Sequence, residues 1–241
     1  MERILHYVHD PLCGWCYAAE KLTDVVSARA QGEFDIQLHA GGLFNRMRLP
    51  EAKRSNIRLA DARIGEMTGQ VFGDAYLNDL LGDPNVIYDS AMPIRGILAA
   101  DTIKPGSGLA MLKALQQAHY RRGLRIVELT TIADVAEGIG LDKVGFAVAF
   151  ESLTDAALHR HLDGMRRLMH ELGARGFPTF VAQIGSEFHL LPHERLYGDA
   201  DGFADLVSGI LAPGEAVKHA NDTTSTSRSQ FGRCDGESPA L

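Results

Sequence analysis

Two cysteines separated by two residues are the side chains of this sequence best suited to chemistry. Gly14 and Trp15 lie between Cys13 and Cys16, and residues 17–29, which follow, have the apolar spacing of a helix. The free N–H groups and the positive dipole end of a helix favour a thiolate over a thiol. We therefore expect thiol–disulfide chemistry, in which Cys13 attacks a substrate disulfide and Cys16 resolves the mixed disulfide.

Half of a zinc site is the alternative interpretation of a CxxC pair. The other half would need two more cysteine or histidine ligands at a suitable spacing. The third cysteine, Cys234, lies in a polar C-terminal stretch, and no His-x₃₋₅-His pair follows the motif at finger-like distance. His159 and His161 lie on one predicted helix but do not share a face. We therefore predict no metal site.

Hydrophobic periodicity predicts the strands that position the cysteines. These are residues 3–9, 34–39, 179–184 and 187–191. The first two flank the predicted helix, which implies a parallel β–α–β crossover. The last two are joined by a Gly-Ser turn and form a hairpin, and an amphipathic helix follows Asp199.

Between the second and third strands, from about residue 46 to 173, segments with helical spacing replace the alternation. These segments are residues 50–68, 73–81, 93–103, 109–121, 131–138, 143–150 and 155–172. The order predicts an α/β protein: a thioredoxin fold (β–α–β, then β–β–α) interrupted by a large all-helical insertion. The expected domains are a discontinuous thioredoxin-like domain (residues 1–45 and 174–215), the insertion (residues 46–173) and a disordered tail (residues 216–241).

The CGWC motif at residues 13–16, the long helical insertion and the GFPTF run at residues 176–180 together resemble the DsbA-like branch of the thioredoxin superfamily. The Asp-Pro pair before the motif resembles that of FrnE-like members. Residues 39–44 and 68–74 are similar to the cytosolic bacterial subgroup of predicted protein-disulfide isomerases. The resemblance covers about residues 3–212.

This resemblance implies roles for two further residues. Pro178 is expected to be a cis-proline that faces the CxxC motif, and Phe177 would offer its backbone to an extended substrate strand. The alternative is a trans-proline that merely starts the third strand. Phe177 stands where the periplasmic relatives commonly carry Val or Thr, so the reactivity of those relatives does not transfer directly.

Three residues near the cysteines are expected to tune them. Gly14 and Trp15 place no cation inside the motif, unlike the Pro-His pair of the strongly oxidising periplasmic enzymes, so we predict a moderately reducing couple. Trp15 is expected to be partly exposed, shielding Cys16 and offering an apolar contact to substrates. Asp10 either exchanges protons with Cys16 or tunes Cys13, or else it serves the turn with the proline that follows.

Composition narrows the partners and the compartment. A formal net charge of −7 over 241 residues argues against nucleic acid and anionic membranes as partners, and no apolar run is long enough to span a bilayer. Residues 1–3 lead directly into the first strand without an apolar signal region, so we expect a cytoplasmic protein. No cofactor is predicted beyond the cysteine pair, with glutathione as a candidate reductant.

The predicted function is therefore a thiol–disulfide oxidoreductase that reduces or isomerises disulfides in proteins or small thiols. One alternative is a glutathione-dependent transferase or isomerase on a kappa-class-like scaffold, although those proteins carry Ser where Cys13 stands. A second alternative is a non-catalytic binding or chaperone module. The natural substrate, the electron donor, the choice between reduction and isomerisation, and the oligomeric state stay open at this point.

Overall fold

Six strands form two sheets in the computed structural model, which describes residues 1–30 and 32–211. The strands are β1 (Arg3–His9), β2 (Asp35–Ala40), β3 (Met47–Arg48), β4 (Ile87–Tyr88), β5 (Thr179–Ile184) and β6 (Glu187–Leu190). The larger sheet has the order β2-β1-β5-β6, in which β1 runs parallel to β2 and antiparallel to β5. β3 and β4 form a separate antiparallel pair.

Helices form the crossover, most of the segment between β2 and β5, and the end of the described chain. They are α1 (Gly14–Ala18), α2 (Glu20–Ala30), α3 (Glu51–Thr68), α4 (Ala91–Ile103), α5 (Gly108–Tyr120), α6 (Leu129–Gly138), α7 (Lys143–Ser152), α8 (Asp155–Glu171) and α9 (Ala200–Leu211). A π-helical turn spans Ala75–Leu80 and a 3₁₀ turn spans His193–Arg195. This order confirms the predicted class, a thioredoxin fold with a helical insertion.

The central strand β1 is apolar because the structure covers both of its faces. On one face, Tyr7 stacks on Phe180 of β5 at 4.5 Å between ring centroids, and Phe203 of α9 meets Phe180 edge-on. On the other face, Val8 packs against Met165 and Met169 of α8. The cysteine motif, which directly follows β1, is thereby attached to the most buried strand of the sheet.

The insertion has close helix contacts of its own. Gly96 in α4 lets α6 approach, since a Cβ at this position would lie 2.6 Å from Ile132. Within the described ranges, no helix is long and apolar enough to cross a bilayer. The domain boundaries proposed at residues 45/46 and 173/174 stay predictions, and the predicted tail at residues 216–241 lies outside the described residues.

The predicted helix at residues 17–29 begins earlier and is divided. α1 starts at Gly14, and Ala19 separates it from α2. The carbonyls just before the break accept hydrogen bonds from distant side chains: Cys16 from the Tyr7 hydroxyl at 3.3 Å, and Tyr17 from the Gln70 amide at 2.8 Å. Because side chains that insert into the helical hydrogen-bond ladder bend helices, these contacts account for the division.

Two details of the insertion differ from the sequence prediction. β3 and β4 lie in the segment predicted to be entirely helical, and at two residues each they are too short to show alternation. The predicted helix at residues 73–81 is a π-helical turn, in which Leu81 donates to the Tyr76 carbonyl five residues earlier at 2.7 Å.

Candidate active site

Cys13 lies at the N-cap position of α1, in an extended conformation with φ −97° and ψ 117°. Its N–H donates to the Asp10 carbonyl at 3.2 Å, and its carbonyl accepts the N–H of Tyr17 at 3.0 Å. Its Sγ donates to the Phe177 carbonyl at 3.6 Å. The structure therefore brings the predicted nucleophile to a helix start and to the segment that contains Pro178; its acidified thiol stays a prediction.

Cys16 lies inside α1, and its Sγ accepts the backbone N–H of Asp10 at 3.4 Å. The structure has both cysteines as thiols, and both residues are buried. The turn after β1 therefore holds the two cysteines in different ways. It accepts the amide of Cys13 and donates to the sulfur of Cys16.

The peptide bond between Phe177 and Pro178 is cis, as the resemblance implied. Pro178 is buried and Phe177 is half-buried. The Phe177 ring lies directly on Gly41, where a Cβ would come within 2.2 Å of the ring. The sequence indicated only a loop at Gly41, but this position has to be glycine for Phe177 to occupy its place beside Cys13.

Trp15 is 7% exposed, so the prediction that it is partly exposed is wrong. Its ring lies 5.3 Å from that of Tyr197, and the Tyr197 hydroxyl donates to the Trp15 carbonyl at 3.2 Å. Tyr197 lies between the last strand and the last helix, and no local pattern links it to the motif. Trp15 packs in the same apolar cluster as Cys16, and its shielding of Cys16 and its contact with substrates stay predictions.

An apolar cover surrounds both cysteines, which are 0% exposed. The cover consists of partly buried side chains from three segments of the chain: Leu43, Met67, Phe72, Phe177 and Tyr197. Leu43 follows β2, Met67 and Phe72 belong to the insertion, and the other two flank the β5–β6 hairpin. A substrate disulfide can reach Cys13 only after part of this cover has moved.

Asp10 is fully buried in the turn after β1. Its Oδ1 accepts the Leu12 amide at 2.9 Å and the Ser90 hydroxyl at 3.0 Å, and its Oδ2 accepts the Leu43 amide at 2.7 Å. Burial raises the pKa of Asp10 to about 6, although these hydrogen bonds oppose the rise. The contacts fit the turn interpretation of Asp10, and its proton exchange with Cys16 stays a prediction.

A second buried carboxyl, Asp61, is not among the residues that the sequence patterns predict to be in the site. It lies in α3 and is 2% exposed, and its Oδ1 packs so closely on Gly14 that a Cβ there would lie 2.6 Å away. Its Oδ2 accepts the Tyr76 hydroxyl at 2.7 Å. Burial raises the pKa of Asp61 to about 7. The available signal was its helical spacing with the buried Ile64 and Thr68, which places an acid on the buried face of α3.

One histidine, His9, lies close to the motif. His9 is fully buried, and neither of its ring nitrogens has a hydrogen-bond partner within the structure. Burial lowers the pKa of His9 to about 3, so the ring is neutral beside the motif. In residues 1–30 and 32–211, no group of three or more His, Cys, Asp and Glu side chains is placed to hold a metal ion. Cys234 lies outside these residues.

Comparison with known proteins agrees with this geometry. A family model described as a DSBA-like thioredoxin domain matches residues 4–197. The cytosolic disulfide reductase DsbM from Pseudomonas aeruginosa is 37% identical, with 86% of this chain and 97% of that chain covered and a TM-score of 0.79. A structure of the same reductase with GSH superimposes with a TM-score of 0.77. Among the curated proteins, no sequence matches.

Two more distant structures share the fold alone. A candidate protein disulfide isomerase from Nitrosomonas europaea is 24% identical, covers 87% of this chain and 97% of its own, and has a TM-score of 0.73. The 2-hydroxychromene-2-carboxylate isomerase is 17% identical, with 86% and 97% covered and a TM-score of 0.53.

The family match spans most of the described residues and includes Cys13, Cys16 and Pro178. The predicted resemblance and the predicted class of enzyme are both confirmed. This chain belongs to the DsbA-like thioredoxin family, and it is a thiol–disulfide oxidoreductase.

Proposed function

We propose that this protein is a cytoplasmic disulfide reductase in which Cys13 is the nucleophile and Cys16 is the resolving thiol. The observation that supports this most is the 3.6 Å contact between Cys13 Sγ and the Phe177 carbonyl at the start of α1. A helix N-terminus supports the attacking thiolate, and the Phe177 backbone beside Pro178 is proposed to meet an extended substrate segment once the cover has moved.

The reaction has two thiol–disulfide exchanges. The Cys13 thiolate attacks one sulfur of a substrate disulfide, forms a mixed disulfide and releases the other substrate sulfur as a thiolate. Cys16 then loses its proton and attacks Cys13 Sγ. This step forms the Cys13–Cys16 disulfide and releases the second substrate thiolate. The substrate gains two electrons, and the cysteine pair loses two.

Glutathione is the proposed reductant that returns the pair to the dithiol. Two glutathione molecules reduce the Cys13–Cys16 disulfide and leave as glutathione disulfide, which balances the electrons of the cycle. The support is the 37% identity to DsbM, whose structure with GSH superimposes on this chain, and whose description places that protein in the cytosol. The substrates proposed are disulfides of proteins or of small thiols.

The charges near the motif support the proposed reducing direction. Gly14 and Trp15 supply no cation, His9 is neutral, and the carboxyls of Asp10 and Asp61 are buried nearby. Each of these features provides less support for a thiolate than an imidazolium inside the motif would. A dithiol without such support is a stronger electron donor.

Insulin reduction with dithiothreitol tests the proposal, with wild type compared to Cys13→Ser and Cys16→Ser. We expect Cys13→Ser to fall to the rate of dithiothreitol alone, and Cys16→Ser to accumulate a mixed disulfide visible by mass spectrometry. Cys234→Ser is the matched control and should keep the wild-type rate. Equal rates for wild type and Cys13→Ser would overturn the proposal. Glutathione conjugation that survives Cys16→Ser would point instead to a transferase.

A further inference from the structure

An ionisable side chain of the insertion lies against the turn between the two cysteines. Asp61 Oδ1 would be 2.6 Å from a Cβ at Gly14, which is closer than real Cβ atoms come to other heavy atoms. Ile64, one turn further along α3, packs in the same cluster as Cys13 and Cys16. The helical insertion therefore brings a carboxyl group to the redox motif itself.

This carboxyl is poorly solvated. Asp61 is 2% exposed, and the contact to its Oδ2 is the Tyr76 hydroxyl at 2.7 Å. A carboxylate that is withdrawn from water without several donors is disfavoured relative to the neutral acid. The pKa of Asp61 accordingly rises to about 7, so the side chain changes charge near neutral pH.

A negative charge at this position acts on the two redox forms unequally. The reduced protein carries Cys13 as a thiolate during turnover, whereas the disulfide carries no charge. Because like charges repel strongly where water is excluded, an ionised Asp61 destabilises the reduced form relative to the disulfide. A dithiol that is destabilised relative to its disulfide gives up electrons more readily.

We propose that Asp61 tunes the Cys13–Cys16 couple and makes it more reducing when its carboxyl is ionised. The proposal rests on the proposed reductase function and adds a determinant of its direction. Asp61 is a positioning residue: it lies against Gly14, the residue next to Cys13, and its charge acts through the Cys13 sulfur.

Other titratable groups around Asp61 keep their charge near neutral pH. Tyr88, from β4, has its pKa raised to about 12 by burial, with the charge of Asp61 contributing. Tyr76 donates its hydroxyl proton to Asp61. His119 contacts the rings of both tyrosines and is neutral, because burial lowers its pKa to about 4. The charge of Arg54 opposes the rise in the pKa of Tyr88.

The test is the equilibrium E(SH)₂ + GSSG ⇌ E(S–S) + 2 GSH, measured for wild type and Asp61→Asn at pH 5.5, 7 and 8. At pH 8 we expect the equilibrium constant of Asp61→Asn to be roughly tenfold smaller, because the variant lacks the charge. For a two-electron couple, tenfold corresponds to about 30 mV. At pH 5.5 the difference should shrink to less than about twofold, since Asp61 is then protonated in the wild type.

Two further measurements separate charge from structural damage. The pH midpoint of Cys13 alkylation by iodoacetamide should fall in Asp61→Asn, because a thiolate forms more easily beside a neutral side chain. Tyr76→Phe keeps the Asp61 carboxyl but removes its donor, which raises the pKa of Asp61 further. The pH at which the equilibrium constant of Tyr76→Phe departs from that of Asp61→Asn should therefore be higher than the corresponding pH for wild type. Asp134→Asn, which removes a surface carboxylate paired to Lys143, is the control and should leave the equilibrium constant within about twofold.

Equal equilibrium constants for wild type and Asp61→Asn at pH 8, or a difference that does not change with pH, would overturn the proposal. Insulin reduction that still requires Cys13 would then leave the reductase function intact. If Asp61→Asn does not fold, Tyr76→Phe alone decides, since an unchanged pH profile in that variant contradicts a role for the Asp61 charge.

Discussion

The turn after β1 and the middle of α3 each place one buried carboxyl beside the cysteine motif. The two carboxyls differ in the number of hydrogen-bond donors that contact them. Asp10 accepts two backbone amides and the Ser90 hydroxyl, whereas Asp61 accepts the hydroxyl of Tyr76. The pKa of Asp10 rises to about 6 and that of Asp61 to about 7. Burial alone does not define the role of an acid. Asp10, with three hydrogen-bond donors, links segments of the chain, whereas Asp61, with the Tyr76 hydroxyl as donor, has the higher pKa.

The hydrogen bonds of Asp10 connect separate segments of the chain. Ser90, just before α4, donates to Asp10 and also receives the Phe44 amide on its hydroxyl oxygen at 3.0 Å. The Phe44 carbonyl in turn accepts the Ser90 amide at 2.9 Å. The Asp10 backbone meanwhile contacts both cysteines. One carboxylate therefore fixes the position of the motif relative to the loop after β2 and to the insertion.

The largest expected effect is on stability in Asp10→Ala. Each buried donor that loses its acceptor costs about 1–3 kcal/mol, and three donors are affected. We expect a loss of about 3 kcal/mol or more in the free energy of unfolding, measured with urea at pH 7. Asp10→Asn, which keeps one acceptor oxygen, should lose less. A loss below about 1 kcal/mol in Asp10→Ala would show that the carboxylate does not hold these segments together.

Gly14→Ala should destabilise the protein from the Asp61 side. The new Cβ would lie 2.6 Å from Asp61 Oδ1 and 3.2 Å from Ile64 Cδ1, and relieving such overlap typically costs about 1–3 kcal/mol. Thermal or urea unfolding measures this loss. Gly138→Ala is the matched control: it lies in α6, its Cβ would meet nothing within 4 Å, and it should stabilise by up to about 1 kcal/mol.

The pH dependence of stability should distinguish the titrating carboxyl. The folded pKa of Asp61, about 7, lies above the unfolded value of about 4, so the folded state binds the proton more tightly. Its contribution to stability is present at low pH and is lost as the pH rises toward 7. Between pH 5 and 7, wild type should lose on the order of 2 kcal/mol more than Asp61→Asn. Parallel curves for the two proteins would contradict the raised pKa.

The smallest effect is expected from the hydroxyl that contacts Asp61. Tyr76→Phe removes one buried hydrogen bond and should cost about 1 kcal/mol, more at pH 8 than at pH 5, because the bond is stronger to a carboxylate. Tyr88→Phe is the control, since the buried Tyr88 hydroxyl has no hydrogen-bond partner within the structure. Unfolding by urea should show no loss in that variant. Equal losses in the two variants would remove the special role of Tyr76.

The sequence was sufficient wherever the signal is local. Cys13 and Cys16 were found because strand, turn and helix start are contiguous in the chain, and alternation located the strands of the large sheet. Helical spacing identified the insertion. Pro178 is assigned through the family resemblance, since nothing within its own segment indicates the contact of Phe177 with Cys13, 164 residues earlier.

What the sequence could not predict depends on contacts between distant segments. The break at Ala19 comes from Gln70, and the burial of Trp15 comes from Tyr197. Asp61 is one of several acids on the helices of the insertion, and its burial arises because α3 packs on α1. Helical spacing places Asp61 on the same face of α3 as Ile64 and Thr68, but it does not indicate that this face packs on α1.

The most direct test of the central claim is to trap the mixed disulfide. Cys16→Ser, reduced and then exposed to glutathione disulfide, should gain one glutathione, and peptide mapping should place it on Cys13. The double variant Cys13→Ser/Cys16→Ser, treated in the same way, should gain no glutathione other than on Cys234. An adduct found on Cys234 alone, or no adduct under conditions in which wild type forms its Cys13–Cys16 disulfide, would contradict Cys13 as the nucleophile.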